Sequence, residues 1–322
     1  MKKCYPTMLS LCCLVGMQGL GFEARAEEAE APSKKVAYAE SVPAPTLTNV
    51  RYGKHPRCVL DFWKADSDKP SPLVISIHGG GWNGGSKEQL EKFVNASELL
   101  DAGISVAAIN YRLIKHSKDL EPPVKGPLSD AARAVQFLRS KAEEWNIDKS
   151  RIAATGGSAG ACSSLWVAYH DDLADPDSDD PVARESSRLM CVAPSRVQST
   201  LDPEQMKDWI PNSKYGAHAF GMVSFDQFLA ERDRIMPWLN EYSPYSLLSD
   251  DDPETYIFYP IAPAKGKAER DPTHSAVFGV KLQERCKELG VPCELVYPGA
   301  PGVKHQSTTE FLISRLKGEG KK

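Results

Sequence analysis

Two rhythms of apolar and polar positions alternate along this chain from about residue 50 to residue 316. Short apolar runs rich in β-branched residues read as strands, and stretches with apolar positions three or four apart read as helices. The strand-type runs are Arg57 to Trp63, Leu73 to Ile77, Ile104 to Asn110, Arg151 to Thr155, Leu189 to Val192, Tyr256 to Tyr259 and Glu294 to Val296. Between them, Ser86 with Gln89 three residues on forms a capping-box signature for a helix reaching about Leu100. Ala132, Val135, Leu138 and Ala142 give an apolar face to a helix over Ser129 to Trp145. Further helices are expected after Gly160, over Ser275 to Leu289 and over Ser307 to Leu316. Regular alternation of strand and helix implies an α/β fold with a mostly parallel central sheet flanked by helices. In such sheets reactive groups collect beyond the carboxyl ends of the strands. The segment 171–252 breaks the rhythm: it opens acidic and proline-rich (Asp171 to Pro181) and continues with Trp209, Trp238 and short helical pieces. It is too long for a plain connection and predicts an inserted lid or cap.

The ends of the chain change the picture only at the amino terminus. Lys2 and Lys3, an apolar run from Met8 to Gly21, and Ala24-Arg25-Ala26 make an export signal cleaved near Ala26. The run is shorter than the roughly 20 residues a membrane span needs, so no stable membrane insertion is expected after cleavage. A lipidated Cys12 is disfavoured, because Leu11 occupies the place of the small residue that precedes such a cysteine. Residues 27–48, rich in Ala, Glu, Pro and Ser, read as a flexible leader to one folded domain over 49–322. Thirty-nine basic residues against 43 acidic ones, a net charge of −4, give no electrostatic reason for a nucleic-acid partner. Cys58, Cys162, Cys191, Cys286 and Cys293 remain after cleavage, an odd number without a disulfide framework, and a Cys286–Cys293 bridge is disfavoured. No metal-ligand spacing and no cofactor motif appears.

Two glycine clusters carry the chemistry. Gly156-Gly157-Ser158-Ala159-Gly160 follows the strand Arg151 to Thr155 and precedes a helix. Such a strand-to-helix turn thrusts the serine out as a nucleophile and aims the next amide, that of Ala159, at a developing oxyanion. His78-Gly79-Gly80-Gly81-Trp82 follows the Leu73 strand, and its unobstructed Gly80 and Gly81 amides can complete an oxyanion hole. His78 reads as a structural residue of that loop, and Trp82 as either a pocket wall or a core aromatic. A serine nucleophile needs a base, and the base an orienting acid. On sheets of this kind the chain order is serine, acid, histidine. His305 follows the last strand and is the expected base, with Asp271, after the Tyr256 strand, as the expected acid. His274 is the other late histidine. Asp250, Asp251 and Asp252 precede that strand, at the wrong end of the sheet, and read as a solvated turn. Trp82, Trp209 and Met222 are candidates for the substrate pocket.

With these residues in place, the sequence resembles the hormone-sensitive-lipase and bacterial carboxylesterase branch of the α/β hydrolases, especially small acetyl- and feruloyl-esterase-like proteins. The matching features are Val50-Arg51-Tyr52-Gly53, Leu60-Asp61, HGGGW at 78–82, Asn110-Tyr111-Arg112-Leu113, Asp130, Asn146-Ile147-Asp148 and GGSAG at 156–160, in the family's order. The resemblance implies the α/β-hydrolase fold, a cofactor-free serine carboxylesterase acting through an acyl-enzyme, and a triad of Ser158, Asp271 and His305. It also suggests a small acyl ester, acetyl or feruloyl on a carbohydrate, as substrate. Two departures stand out: the acid's usual Gly-x-x-Asp setting is absent before Asp271, and Lys304 and Gln306 flank His305 where a glycine and an aromatic are usual. Two rivals follow from the same residues: a prolyl-oligopeptidase-like peptidase, and a non-catalytic ligand-binding homologue.

Overall fold

The computed structural model describes residues 37–318. The export signal expected over residues 1–26 and the first part of the leader lie outside the described residues. Described residues ahead of the expected boundary at 49 are tied to the domain. The Tyr38 hydroxyl donates to Asp61 Oδ2 at 2.8 Å, and the Trp63 indole donates to the Pro43 carbonyl at 2.7 Å. These side-chain bonds pin residues that no local pattern marks as structured.

Eight strands form one sheet: β1 (Leu47–Arg51), β2 (Val59–Trp63), β3 (Ser71–Ile77), β4 (Ser105–Ile109), β5 (Ile147–Gly157), β6 (Cys191–Ser195), β7 (Glu254–Phe258) and β8 (Cys293–Val296). Their order across the sheet is β1-β2-β4-β3-β5-β6-β7-β8. Both pairings of β2 are antiparallel, and every pairing from β4 to β8 is parallel. The helices are α1 (Ala96–Asp101), α2 (Lys125–Ser140), α3 (Ala142–Trp145), α4 (Ala159–Tyr169), α5 (Pro203–Trp209), α6 (Phe225–Ala230), α7 (Met236–Tyr242), α8 (Pro244–Leu247), α9 (Val277–Leu289) and α10 (Thr308–Lys317).

The period of two along each strand divides the core between the two faces of the sheet. Leu73, Ile75 and Ile77 of β3, Ala107 and Ile109 of β4 and Ile257 of β7 join one cluster, with Leu128 of α2, Leu165 of α4 and Phe278 of α9. Their strand neighbours Val74, Val106, Ala108 and Tyr256 join the other, with Leu99 of α1 and Phe311, Leu312 and Leu316 of α10. Both faces of the central strands are therefore covered, which is why β3 is buried along its whole length.

Three expectations are revised. Ser86 makes no side-chain cap, and the run after it is a 3-10 turn over Lys87–Lys92 followed by α1. Tertiary bonds explain the break: the Lys87 amide donates to Asn110 Oδ1 and its ammonium to Asp61 Oδ2, each at 2.7 Å. The long helix expected over 129–145 is two, interrupted at Lys141 and closed by Asn146 in the left-handed region (φ 58°). The lid expected over 171–252 is not one insertion, because β6 lies inside that range and pairs with β5 and β7 in the parallel part of the sheet. Residues 170–190 are a surface loop, and the helical excursion is the stretch from 196 to 253 that carries α5 to α8. Its Met206, Phe228 and Leu239 are buried in the same cluster as β3 and α4. This excursion shares the main core instead of standing off as a separate cap.

Asp130 on α2 fastens the loop after β4. It accepts from the Arg112 amide and Nε at 2.9 Å and from Arg112 Nη2 at 2.7 Å, while its own carboxyl is buried. Removing one partner of such a pair strands the other. Asp130→Ala is therefore expected to lower stability by about 3 kcal/mol in urea denaturation, far more than loss of the exposed acid of the Lys141–Glu144 pair.

Candidate active site

At the carboxyl end of β5 the backbone turns straight into α4 through Ser158, whose φ of 54° and ψ of −122° are unusual for a residue with a side chain. The surroundings hold this geometry. The Ser158 amide donates to the Ser195 carbonyl at 3.1 Å, and the Ser158 carbonyl accepts from the Cys162 amide at 2.9 Å. The glycines around it are required by proximity: a Cβ on Gly160 would lie 2.0 Å from the Ile77 carbonyl oxygen. The end of β3 thus packs directly on the first turn of α4.

That contact brings the triple-glycine loop over the serine. Gly79, Gly80, Gly81, Gly157 and Ser158 all line one cavity of about 980 Å³. Gly80 and Gly81 both have positive φ, 111° and 60°. Ala159 opens α4, so its amide has no acceptor within its own helix and faces the helix's positive end. His78 behaves as the structural residue expected. It is buried, stacks on Tyr111 with ring centroids 4.2 Å apart, and bonds the Gly79 carbonyl through Nδ1 at 2.8 Å. Burial lowers its pKa to about 4, which keeps the imidazole neutral. From the helical excursion, His218 Nε2 lies 3.0 Å from the Gly81 carbonyl and props the loop from outside.

The imidazole beside the serine is that of His274, not His305. His274 Nε2 is 3.0 Å from Ser158 Oγ, and His274 Nδ1 is 2.8 Å from Asp271 Oδ2. Asp271 and His274 are three residues apart at the two ends of one 3-10 turn, Pro272–His274, in the loop between β7 and α9. Pro272 sets the start of that turn, and the spacing puts both side chains on one side. Both residues line the cavity. The Gln198 amide nitrogen donates to the Thr273 carbonyl at 2.6 Å and ties the turn to the segment after β6.

His305 is engaged elsewhere. Its Nδ1 lies 2.7 Å from Glu294 Oε2 on β8, its amide donates to Glu294 Oε1 at 2.8 Å, and its ring meets Phe311 edge-on. Its side chain lines a small separate cavity with Glu98, Lys304 and Glu310. The expectation for His305 rested on chain order, and chain order does not register that Glu294, 11 positions earlier on β8, captures the ring. The signal for His274 was present as Asp-Pro-x-His, an acid and an imidazole spaced to meet across one turn.

The expected pocket wall is also revised. Trp82 is fully buried, with its indole donating to Ser163 Oγ at 3.0 Å, so it is a core aromatic. Trp209 packs against Tyr245 and Phe278. Met222 is buried within the core. None of the three lines the cavity. Its walls come instead from Gln89, Glu91, Lys92 and Phe93 after the glycine loop, Ser195 and Arg196 at the end of β6, Tyr215 and Phe258, and Gln306 to Thr309. Most of these are polar residues, drawn from the 3-10 turn over Lys87–Lys92, strand ends, loops and the start of α10. Among the described residues no group of His, Cys, Asp and Glu is placed to hold a metal ion, and no helix is long and apolar enough to cross a membrane. Asp252, expected in a solvated turn, is buried and bonded to the Ser249 amide.

A serine on a strained strand-to-helix bend, under a glycine loop at the carboxyl edge of a mostly parallel sheet, defines an α/β hydrolase. The family model BD-FAE matches residues 60–260, and the chain belongs to that family. It is similar to a probable carboxylic ester hydrolase, LipM, of Mycobacterium tuberculosis, 28% identical over 166 residues that cover 48% of this chain and 37% of that protein. The chain spans well under half the length of the first curated relatives it matches. Among solved structures it resembles an acetyl ester-xyloside bifunctional hydrolase from Caldicellulosiruptor lactoaceticus (TM-score 0.56, 23% identity, covering 80% of this chain and 85% of that one). A truncated carbohydrate esterase from gut microbiota gives a TM-score of 0.62 at 20% identity, covering 87% of this chain and 99% of that one.

The two imidazole–carboxylate pairs differ in what they expose. The Glu294–His305 pair is almost entirely buried, with side-chain exposures of 11% and 10%. Burial pushes the Glu294 carboxyl up, but the His305 and Lys304 donors outweigh it and leave the pKa below its ordinary value. A carboxylate with a lowered folded-state pKa contributes stability that is present above its unfolded pKa and lost as pH falls through the folded value. Glu294→Gln is therefore expected to cost about 1–2 kcal/mol at neutral pH in chemical denaturation. The difference from wild type should shrink as pH falls below the ordinary glutamate range and on through the lower folded value.

Proposed function

We propose that this protein is a serine carboxylesterase that hydrolyses small acyl esters through an acyl-enzyme, with Ser158 as nucleophile, His274 as base and Asp271 as the acid that orients it. The observation that carries the reading is the unbroken chain of hydrogen bonds from Asp271 Oδ2 through the His274 ring to Ser158 Oγ, open to the cavity under the glycine loop. In this reading His274 Nε2 takes the serine proton as Oγ attacks the ester carbonyl. The Gly80, Gly81 and Ala159 amides hold the resulting oxyanion, and the alcohol leaves with the proton returned by His274. Water, deprotonated by the same ring, then releases the acid. Asp271 keeps the Nδ1 proton in place and stabilises the imidazolium. All the groups needed belong to the chain itself.

The named esterases among the relatives and neighbours favour ester bonds over peptides. The xyloside and carbohydrate esterases among the solved structures favour an acyl group on a sugar. The amino-terminal charge, apolar run and Ala24-Arg25-Ala26 favour action outside the cytoplasm after cleavage near Ala26.

Single substitutions assayed on para-nitrophenyl acetate separate the two histidines. Ser158→Ala and His274→Ala should each lower kcat by about 10³-fold or more, and Asp271→Asn by a comparable factor. His305→Gln should keep kcat within about tenfold of wild type while lowering the melting temperature. A His305→Gln enzyme as dead as Ser158→Ala, with His274→Ala near wild type, would transfer the base to His305.

A further inference from the structure

Resting on the esterase reading of the Ser158 site, we infer that Arg196 is a specificity residue that pairs with a carboxylate carried by the ester substrate. Arg196 directly follows Ser195, the last residue of β6, whose carbonyl receives the Ser158 amide. Its backbone is held in the left-handed region, with φ of 52°, a conformation that residues with a side chain adopt at a cost. Two bonds impose it: the Arg196 amide donates to the Phe258 carbonyl at 2.9 Å, and its own carbonyl accepts from the Gln198 side chain at 3.3 Å. A glycine would meet the same backbone requirement without strain, so folding gives no reason for a long cationic side chain here. Strained residues of this kind gather where a site needs a side chain aimed in one direction.

The side chain emerges exposed on the wall of the Ser158 cavity, beside Asp271 and His274. Among the described residues no carboxylate lies within ion-pair distance of its guanidinium. Asp271, the carboxylate on the same wall, is committed to His274. The other charged groups lining the cavity are Lys92 and Glu91, both exposed on the segment after the glycine loop. With Asp271 engaged, two cations face one uncommitted carboxylate, so the cavity favours an anion. A planar guanidinium matches a carboxylate in a two-pronged geometry that a lysine cannot offer. The substrate class is an ester bearing a carboxylate near the scissile bond, on the acyl side as in a dicarboxylic half-ester, or on the alcohol side as in an ester of an acidic sugar.

Two substrate pairs distinguish the sides. Mono-para-nitrophenyl succinate against para-nitrophenyl butyrate places the charge on the acyl group, and para-acetoxybenzoate against para-acetoxybenzamide places it on the alcohol. For wild type and Arg196→Gln, kcat/KM is measured on all four at low salt, and selectivity is the ratio of charged to neutral substrate. The inference expects that ratio to fall at least about threefold in one pair on Arg196→Gln, with neutral substrates nearly unaffected, and to be eroded in wild type by added salt. Arg196→Gly should lose the same selectivity while melting no lower than wild type, and it carries the test if Arg196→Gln folds poorly. A ratio changed by less than about threefold in both pairs overturns the inference. Ser158→Ala run on the same substrates separates the two failures: wild-type turnover there would overturn the esterase reading and this inference with it, whereas loss of turnover with unchanged Arg196 selectivity overturns the inference alone.

Discussion

The site depends on one contact, the approach of two backbones at the carboxyl ends of β3 and β5. The Ile77 carbonyl oxygen would lie 2.4 Å from a Cβ on Gly156 and 2.0 Å from one on Gly160, and the Gly157 carbonyl 2.7 Å from one on Gly79. Side chains at these places would push the strands' ends apart. Without them the glycine loop settles on the serine bend, and Gly80, Gly81 and Ser158 line one cavity. The strain at Ser158 is maintained because neighbours on β6 and α4 bond its amide and its carbonyl. Buried packing on both faces of the sheet supplies the rigidity that lets so small a region hold unfavourable dihedrals.

Around this contact the remaining elements act as supports. His78, kept neutral by burial, stacks on Tyr111, and the Tyr111 hydroxyl in turn donates to the His78 carbonyl at 2.8 Å. The excursion between β6 and β7 reaches back over the sheet: Ala219 accepts from the Val124 amide at the start of α2, and His218 meets Gly81. Since the excursion buries its apolar residues in the main core, it can brace the glycine loop without a second hydrophobic nucleus. The wall it shares with the loops after β6 and β7 mixes the Tyr215 and Phe258 rings with the Arg196, Asp271 and His274 side chains.

Two imidazole–carboxylate pairs on neighbouring loops show how little residue type decides. Asp271–His274 and Glu294–His305 have almost the same separation, 2.8 and 2.7 Å. The first opens to the cavity with its second nitrogen on Ser158. The second is enclosed between β8 and α10, where it fastens a loop. Burial and direction separate them, and neither is encoded in spacing along the chain.

Much was legible in residue order. The alternation of apolar runs located all the strands from β2 to β8, because a strand buried on both faces must be apolar throughout. The glycines of 78–82 and 156–160 revealed the bend at Ser158, because only glycine tolerates such close backbone approach. Local pattern could not reveal what long-range bonds impose. Asp61 and Asn110 draw in Lys87 and break a helix whose cap signature looked complete, and Tyr38 is anchored by a carboxylate 23 positions on. The choice between His274 and His305 is of the same kind, since a ring goes to whichever partner the folded loops bring within reach. Residue order determined the sheet, the bend and the chemistry available at it, for these follow from sterics and periodicity between near neighbours. Folding in three dimensions decided which imidazole meets the serine, which aromatics are core, and which charges line the cavity, because each depends on distances between segments far apart in the chain.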